Sequence, residues 1–364
     1  MIYLLPYILT FFIGIINSGK KNKQLRLYSC LAMFLVLSLI MGLRNIDYAG
    51  EDTIVYARDF NRIVENNYSF YDILTREFEK DYLFYVIAKL FSLVIADVNM
   101  WILFCASVYV SAISWFIYRY STNLFLSYII FLSWDFYMYN FQLMRHCFSL
   151  AFVIFSIKYV LNRNAKKYIA MLFCAATSQI VSIVSGLTFF MKGMSKKNVA
   201  IFSSIIGVVF ILILVLPREG LISIIFSSSL IDKERFGQFA TRGGSAITNS
   251  FICGAFIIIT LYEVLTTKKS ITYNVHKDNL ILFLIMSFVA LIFYAMQFLI
   301  GEMYRVAQYF SFVIIVMVPM ALGLEKNKSL KFVIICAITF FCIKHFFGGL
   351  LNAEEYYPYK FYWE

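Results

Sequence analysis

Residues 137–155 read YMYNFQLMRHCFSLAFVIF, and the charged pair in the middle decides how the chain is laid out. Almost everything around Arg145 and His146 is apolar or aromatic. A charged side chain at the centre of a bilayer costs at least about 2.5–3.5 kcal/mol. The pair is therefore expected at a membrane boundary, opening the apolar run that follows it. Outward from this stretch, apolar runs of about 16–20 residues recur, the length that crosses about 30 Å of hydrocarbon. Of the 364 residues, 61% are hydrophobic and 15% charged, against about 45–50% and about 25% in soluble domains. The sequence reads as an all-α, polytopic membrane helix bundle, a single integral membrane domain over residues 1–364 with no soluble domain. The first apolar run lacks a small-x-small cleavage pattern and reads as a span rather than a removed signal.

The net charge is +11, and its distribution points to membrane orientation rather than to nucleic acid. Short segments rich in Lys and Arg occur at 20–26, 118–123, 162–167, 192–197, 268–277 and 326–331. The positive-inside rule assigns them to the cytoplasm. The other polar segments then fall outside: external loop 1 over 44–81, external loop 2 over 218–249 with its DKERFGQFATRGG, the short FQLMRH and GEMYR, and NAEEYYPYKFYWE, whose aromatics suit an interfacial belt. Both ends are then external. Two runs need special treatment. The run at 82–97 has Lys89 at its middle and reads as a partial or interfacial helix. The run at 168–191 has basic flanks on both sides, and its FCAATSQIVS supplies small and polar residues for the tip of a re-entrant hairpin. With the run at 124–141 counted as a crossing, the layout comes to about ten spans.

Candidate chemical groups gather at the external ends of these runs. Arg44 follows one run, and Asp52, Tyr56 and Asp59 recur at helical spacing and share one face. Glu79 and Asp81 precede YLFYVIAKLF, and Glu302 and Arg305 are neighbours on one helical turn. Arginines at helix ends often only snorkel to headgroups, Glu302 with Arg305 can be a plain local ion pair, and most acids of 44–81 read as a solvated loop. Against these readings stands the recurrence of Arg44, Arg145 and Arg305 at external helix ends. Converging guanidinium groups bind phosphate or pyrophosphate through bidentate, charge-assisted hydrogen bonds, and a nearby carboxylate or histidine can act as a general base. No phosphate-binding P-loop, zinc-protease, nucleophile-elbow or calcium-loop pattern is present. The seven cysteines are scattered without a C-x-x-C pair and read as small core residues.

Several blocks, in order, resemble the EpsG-type group of polysaccharide polymerases, related in role to the Wzy O-antigen polymerases. GLRNIDYAGEDTIVYARDF resembles an Arg, Gly-x-Asp, Tyr, aromatic pattern, carried by Arg44, Gly50, Asp52, Tyr56 and Phe60. EFEKDYLFYVIAKLF resembles a Glu-x-Gly-aromatic segment, with Glu79 as the acid and Asp81 where glycine is usual. FQLMRHCFSLAFVIFSIKYVLNRNAKKYIAMLFCAATSQIVSIV resembles an Arg-Gln that opens a span, then a basic turn and a small-residue helix with a histidine. Arg145 matches, His146 takes the Gln position, and Gln179 stands about where the histidine is expected. GEMYRVAQYF resembles a late Arg-x-x-x-aromatic motif, giving Arg305 and Tyr309.

The resemblance implies a fold similar to GT-C-type membrane glycosyltransferases and a multi-pass protein of the bacterial inner membrane with its site facing the periplasm. The implied reaction joins undecaprenyl-pyrophosphate-linked oligosaccharide repeats by glycosyl transfer, without cofactor or metal. Implied partners are these lipid-linked oligosaccharides, the bilayer and a chain-length regulator protein, with no nucleic acid. Asp52, Glu79 and His146 are the candidates for the catalytic base. Arg44, Tyr56, Arg145, Gln179, Glu302, Arg305 and Tyr309 are the candidates for substrate binding. The alternative is a flippase or transporter of lipid-linked oligosaccharide, in which the same arginines hold the headgroup without chemistry. Transporters often carry inverted repeats, and none is evident in the sequence.

Overall fold

Short polar turns with an asparagine or aspartate at the cap start many of the helices. Asn22 opens α2 (Lys23–Gly42) by accepting hydrogen bonds from the Gln24 and Leu25 amides. Asp97 opens α5 (Val98–Tyr120), Asn123 opens α6 (Leu124–Ser133) and Asn164 opens α8 (Ala165–Ser178). Each satisfies one or two of the amides a helix start leaves without partners, worth about 1 kcal/mol per cap. The computed structural model describes residues 2–18, 22–48, 50–78, 80–134, 136–193, 201, 204–205, 207–208, 244–266, 273–350 and 357–364.

Among the described residues the longer helices are α1 (Leu4–Asn17), α2 (Lys23–Gly42), α3 (Glu51–Glu65), α4 (Tyr82–Ser92), α5 (Val98–Tyr120), α6 (Leu124–Ser133), α7 (Met144–Leu161), α8 (Ala165–Ser178), α9 (Gly244–Thr266), α10 (Tyr273–Met296), α11 (Met303–Ser311), α12 (Ile314–Leu322) and α13 (Lys328–Leu350). Among the described residues, seven segments are long and apolar enough to cross a membrane: Lys23–Gly42, Val98–Tyr120, Met144–Leu161, Ala246–Thr266, Asp278–Met296, Met303–Leu322 and Lys328–Leu350. The chain is thus a helical, multi-pass membrane protein.

Contacts group the chain into two units, Met1–Ile183 with Lys326–Glu364, and Val184–Glu325. In the first unit α2 packs on α5, α5 on α7 and α7 on α8, while α1 and α13 both lie against α6. α3 and α4 pack on each other, and α4 also meets α8. An aromatic cluster of Tyr56, Phe60, Phe84, Tyr85, Trp101 and Phe148 joins α3, α4, α5 and α7. In the second unit α10 packs on α9, α11 and α12, and α9 on α12.

Three segments differ from the sequence expectation or sharpen it. The run at 124–141 is helical only over Leu124–Ser133. Ten residues rise about 15 Å, half the hydrocarbon thickness. The backbone beyond the helix end is tied off by side chains, since Tyr109 and Asn140 both donate to the Phe136 carbonyl, at 2.6 and 2.8 Å. Irregular backbone at membrane depth is tolerated when buried in protein in this way. The helix at 82–97 is partial, as the position of Lys89 suggests: α4 has 11 residues, and the buried Lys89 ammonium donates to Asn67 Oδ1 at 2.9 Å. The segment at 168–191 breaks at Gln179, whose φ of −160° and ψ of 115° end α8 before the 3-10 turns of Ile180–Leu187.

The segment 44–81 is more ordered than a solvated loop. It contains α3, which buries Tyr56, Phe60 and Ile63 on one face, and two of its acids, Asp59 and Asp81, are buried. Residues 218–243 of the expected second external loop lie outside the described residues, and 244–249 form the first turns of α9.

Candidate active site

The aromatic cluster of the first unit carries a charged centre at the start of α7. Arg145 Nη1 donates to Asp81 Oδ2 at 2.8 Å, and the guanidinium carbon lies 5.0 Å from the centre of the Tyr56 ring. The same nitrogen lies 3.5 Å from the Tyr85 hydroxyl, which donates to Asp59 Oδ2 at 2.9 Å. One cation, two phenols and two carboxylates thus form a continuous chain from α3, α4 and α7. Phe78 stacks on Tyr85 with ring centres 3.6 Å apart and walls one side of it.

Asp81 reaches Arg145 because of its backbone. Its φ of 60° is left-handed, a conformation that favours glycine and is tolerated by aspartate and asparagine. Burial raises the Asp81 carboxyl above its ordinary range by more than Arg145 and then Lys80 lower it. Burial likewise raises the Tyr85 phenol, against the pull of Arg145, so Tyr85 stays protonated and serves as the donor to Asp59. The Arg145 side chain keeps 23% of its surface open, whereas Asp81 keeps 6%. The cation is therefore the member of the pair that an incoming anion can meet.

His146, next along α7, faces the break in α8. Its Nδ1 lies 2.9 Å from Gln179 Oε1. With the amide oxygen turned to the ring, a neutral imidazole donates from Nδ1, and Nε2 becomes the basic nitrogen. A partner that fixes the tautomer is what orients a histidine for proton transfer. The extended backbone at Gln179 lets its side chain reach His146. The substitution of Gln by His at one position and His by Gln at the other, each departing from the resemblance, ends in a direct contact between them.

Arg44 occupies a different environment. It is 3% exposed, and its guanidinium donates to the Met41 and Phe141 carbonyls and, at 3.4 Å, to Thr53 Oγ1. Its side chain therefore ties the end of α2 to α3 and to the turn before α7, rather than lining an open cavity with Arg145. Gly50 acts at the same junction: its φ is 84°, and a Cβ there would stand 2.3 Å from Gln142 Oε1. Asp52 sits in the first turn of α3, one turn before Tyr56 on the same face. Glu79 lies outside the described residues.

In the second unit, Arg305 Nε lies 2.7 Å from Glu302 Oε2 and donates to the Tyr304 hydroxyl at 2.8 Å. Both members of the ion pair are about 30% open. Tyr309, one turn further on, is fully buried.

Asp81, Asp59 and Tyr85 are the cluster members that site selection from sequence passed over. Their signal was available in part: Asp59 shares the Asp52–Tyr56 face, and Asp81 stands where a left-handed residue starts a helix. Among the described residues no group of three or more His, Cys, Asp or Glu is placed to hold a metal ion.

Searches of curated proteins and of solved structures found no match. The family described as the EpsG family matches residues 27–361, nearly the whole chain. That span takes in Arg44, the α3–α4 cluster, the Arg145–His146 pair and Arg305. The chain belongs to the EpsG family, a family of polysaccharide-polymerase-type membrane glycosyltransferases.

Proposed function

We propose that this protein polymerises undecaprenyl-pyrophosphate-linked oligosaccharide repeats at the periplasmic face of the bacterial inner membrane, as an O-antigen or related polysaccharide polymerase. The observation that carries the proposal is the Arg145 centre: a partly open guanidinium at the start of a membrane-spanning helix, oriented by Asp81 and Tyr56 and adjacent to the His146–Gln179 pair. In the reaction, the bond between the donor sugar C1 and its pyrophosphate oxygen breaks. A bond forms between C1 and a hydroxyl oxygen of the acceptor repeat, the hydroxyl proton passes to a base, and undecaprenyl pyrophosphate leaves.

Arg145 and Arg305 each bind a pyrophosphate, and two lipid carriers take part in each cycle. Preorganised cations stabilise the charge that develops on the leaving group, which is the work a metal ion does in metal-dependent transferases. Arg44 positions the Arg145 segment through the Phe141 carbonyl. Asp52, Glu79 and His146 are the candidate bases, and the Gln179 contact supports His146. Tyr56 holds Arg145, while Glu302 and Tyr309 support Arg305 on α11. The bundle has a GT-C-like arrangement of about ten crossings, and a chain-length regulator sets the final polymer size.

The test is polymer formation by purified protein in lipid nanodiscs given only lipid-linked repeats. Wild type yields a ladder of products, and Arg145→Ala at normal protein level yields at least about 100-fold less. Full ladders from Arg145→Ala defeat the assignment of Arg145. Unchanged substrate from the wild type, moved to the other leaflet, supports the flippase instead.

A further inference from the structure

The geometry points to a glycan-binding groove on the face of α3 opposite the Arg145 centre, and this inference rests on the polymerase reading. α3 has two faces. Tyr56, Asp59, Phe60 and Ile63 are buried toward the cluster. Arg58, Asn61, Arg62 and Glu65 point the other way and are exposed, at i, i+3, i+4 and i+7 spacing. An ordinary solvated face would be convex. This one forms one wall of a groove of about 550 Å³, which Asn45, Asn99 and Tyr362 complete, within the usual size range of ligand sites.

Tyr362 belongs to a fixed strap. Residues 357–364 are pinned by the Asn45 amide donating to the Lys360 carbonyl at 2.9 Å and the Tyr362 amide donating to the Leu43 carbonyl at 3.0 Å. The Tyr359 hydroxyl adds a bond to the Ile40 carbonyl at 2.8 Å. With its backbone held, the strap presents Tyr362 37% exposed and Trp363 59% exposed, the latter stacked on Phe361 at 4.5 Å. Asparagine amides, arginines and carboxylates read sugar hydroxyls by donating and accepting hydrogen bonds, and aromatic faces meet the C–H faces of sugar rings. Most of the lining side chains are polar or charged, with Ile46, Ile54 and Ala57 as the apolar remainder, a mixture that suits the hydroxyls and C–H faces of the saccharide portion of a repeat or of the growing chain. A wall held in place before binding spares the ligand the cost of ordering it.

The experiment uses full-length protein in nanodiscs and, as probe, oligosaccharides of defined repeat number released by mild acid from the host's own surface polysaccharide. Asn61→Ala, Arg62→Ala and Tyr362→Ala are expected to bind the probe about tenfold more weakly, each loss being about one good hydrogen bond or ring contact. Their ladders are expected to stop at short products while the first linkage still forms, whereas Arg145→Ala loses every product and keeps probe binding. Asn61→Trp fills the groove from an exposed helix position and leaves the residues of the strap unchanged, and should shorten the ladder in the same way. Unchanged binding and unchanged ladders in these variants overturn the groove. Loss of thermal stability or membrane insertion alone overturns it too, and identifies the strap as an interfacial anchor. A wild type that binds the probe but forms no ladder removes the polymerase reading and leaves the groove standing.

Discussion

Asp81 shows how one backbone torsion sets the electrostatics of the candidate site. Its left-handed φ places a carboxylate 2.8 Å from Arg145, and the surrounding protein desolvates it. The outcome is a carboxyl whose proton affinity is raised, because burial outweighs the attraction of Arg145 and Lys80. In the window above the ordinary carboxylate value of about 4, the folded protein holds a proton there that the unfolded chain has released. The stability tied to this proton is complete below that window and is lost as pH rises through the raised value. Asn removes the titration, tolerates the left-handed conformation and keeps the shape. The melting temperature of Asp81→Asn minus that of wild type is therefore expected to increase with pH across the weakly acidic range, measured on detergent-purified protein. A difference that stays flat or falls with pH contradicts the assignment. Polymer output should still drop in Asp81→Asn, because Arg145 loses the partner that orients it.

At the level of elements, the informative feature is the break between α8 and the turns that follow it. Small and polar residues in FCAATSQIVS already marked this as a place where a helix would not run straight through. The short α4 was legible for a similar reason, since a lysine in the middle of an apolar run argues against a crossing. α3 was legible only in its period. Its charges suggested a loop in water, yet the Asp52, Tyr56, Asp59 spacing predicted a shared face, and that face packs into the cluster. The partnership of Asp81 with Arg145 was not legible, because the two are 64 positions apart and packing alone joins them. The same holds for His146 and Gln179, 33 apart. That pair carries a prediction at the α7–α8 contact. If Gln179 acts by orienting His146, His146→Ala lowers polymerisation by about 100-fold and Gln179→Ala by about tenfold. The double variant should then be no worse than His146→Ala. Independent roles would instead multiply the two losses, and the cycle of four proteins separates these outcomes directly.

At the scale of the whole molecule, the apolar composition marks a membrane protein, but the number of crossings does not follow from apolar runs alone. Seven described segments reach membrane-crossing length, while α1, α4 and α6 are shorter. Burial explains why a crossing need not be one straight helix: 124–141 is apolar because it faces protein, so its helix can end partway with the remaining backbone satisfied by side chains. Orientation is a sharper matter, because the polymerase reading requires α3, the strap and the start of α7 on the periplasmic side. In a variant with the seven native cysteines replaced, single cysteines at Asn61 and Trp363, both exposed, are expected to react with a membrane-impermeant maleimide in spheroplasts. A cysteine at the exposed Lys167, in the first turn of α8, should react only after permeabilisation. The reverse pattern would put the Arg145 centre in the cytoplasm, where exported lipid-linked repeats are absent, and would remove the polymerase reading whatever the activity of the arginine variants.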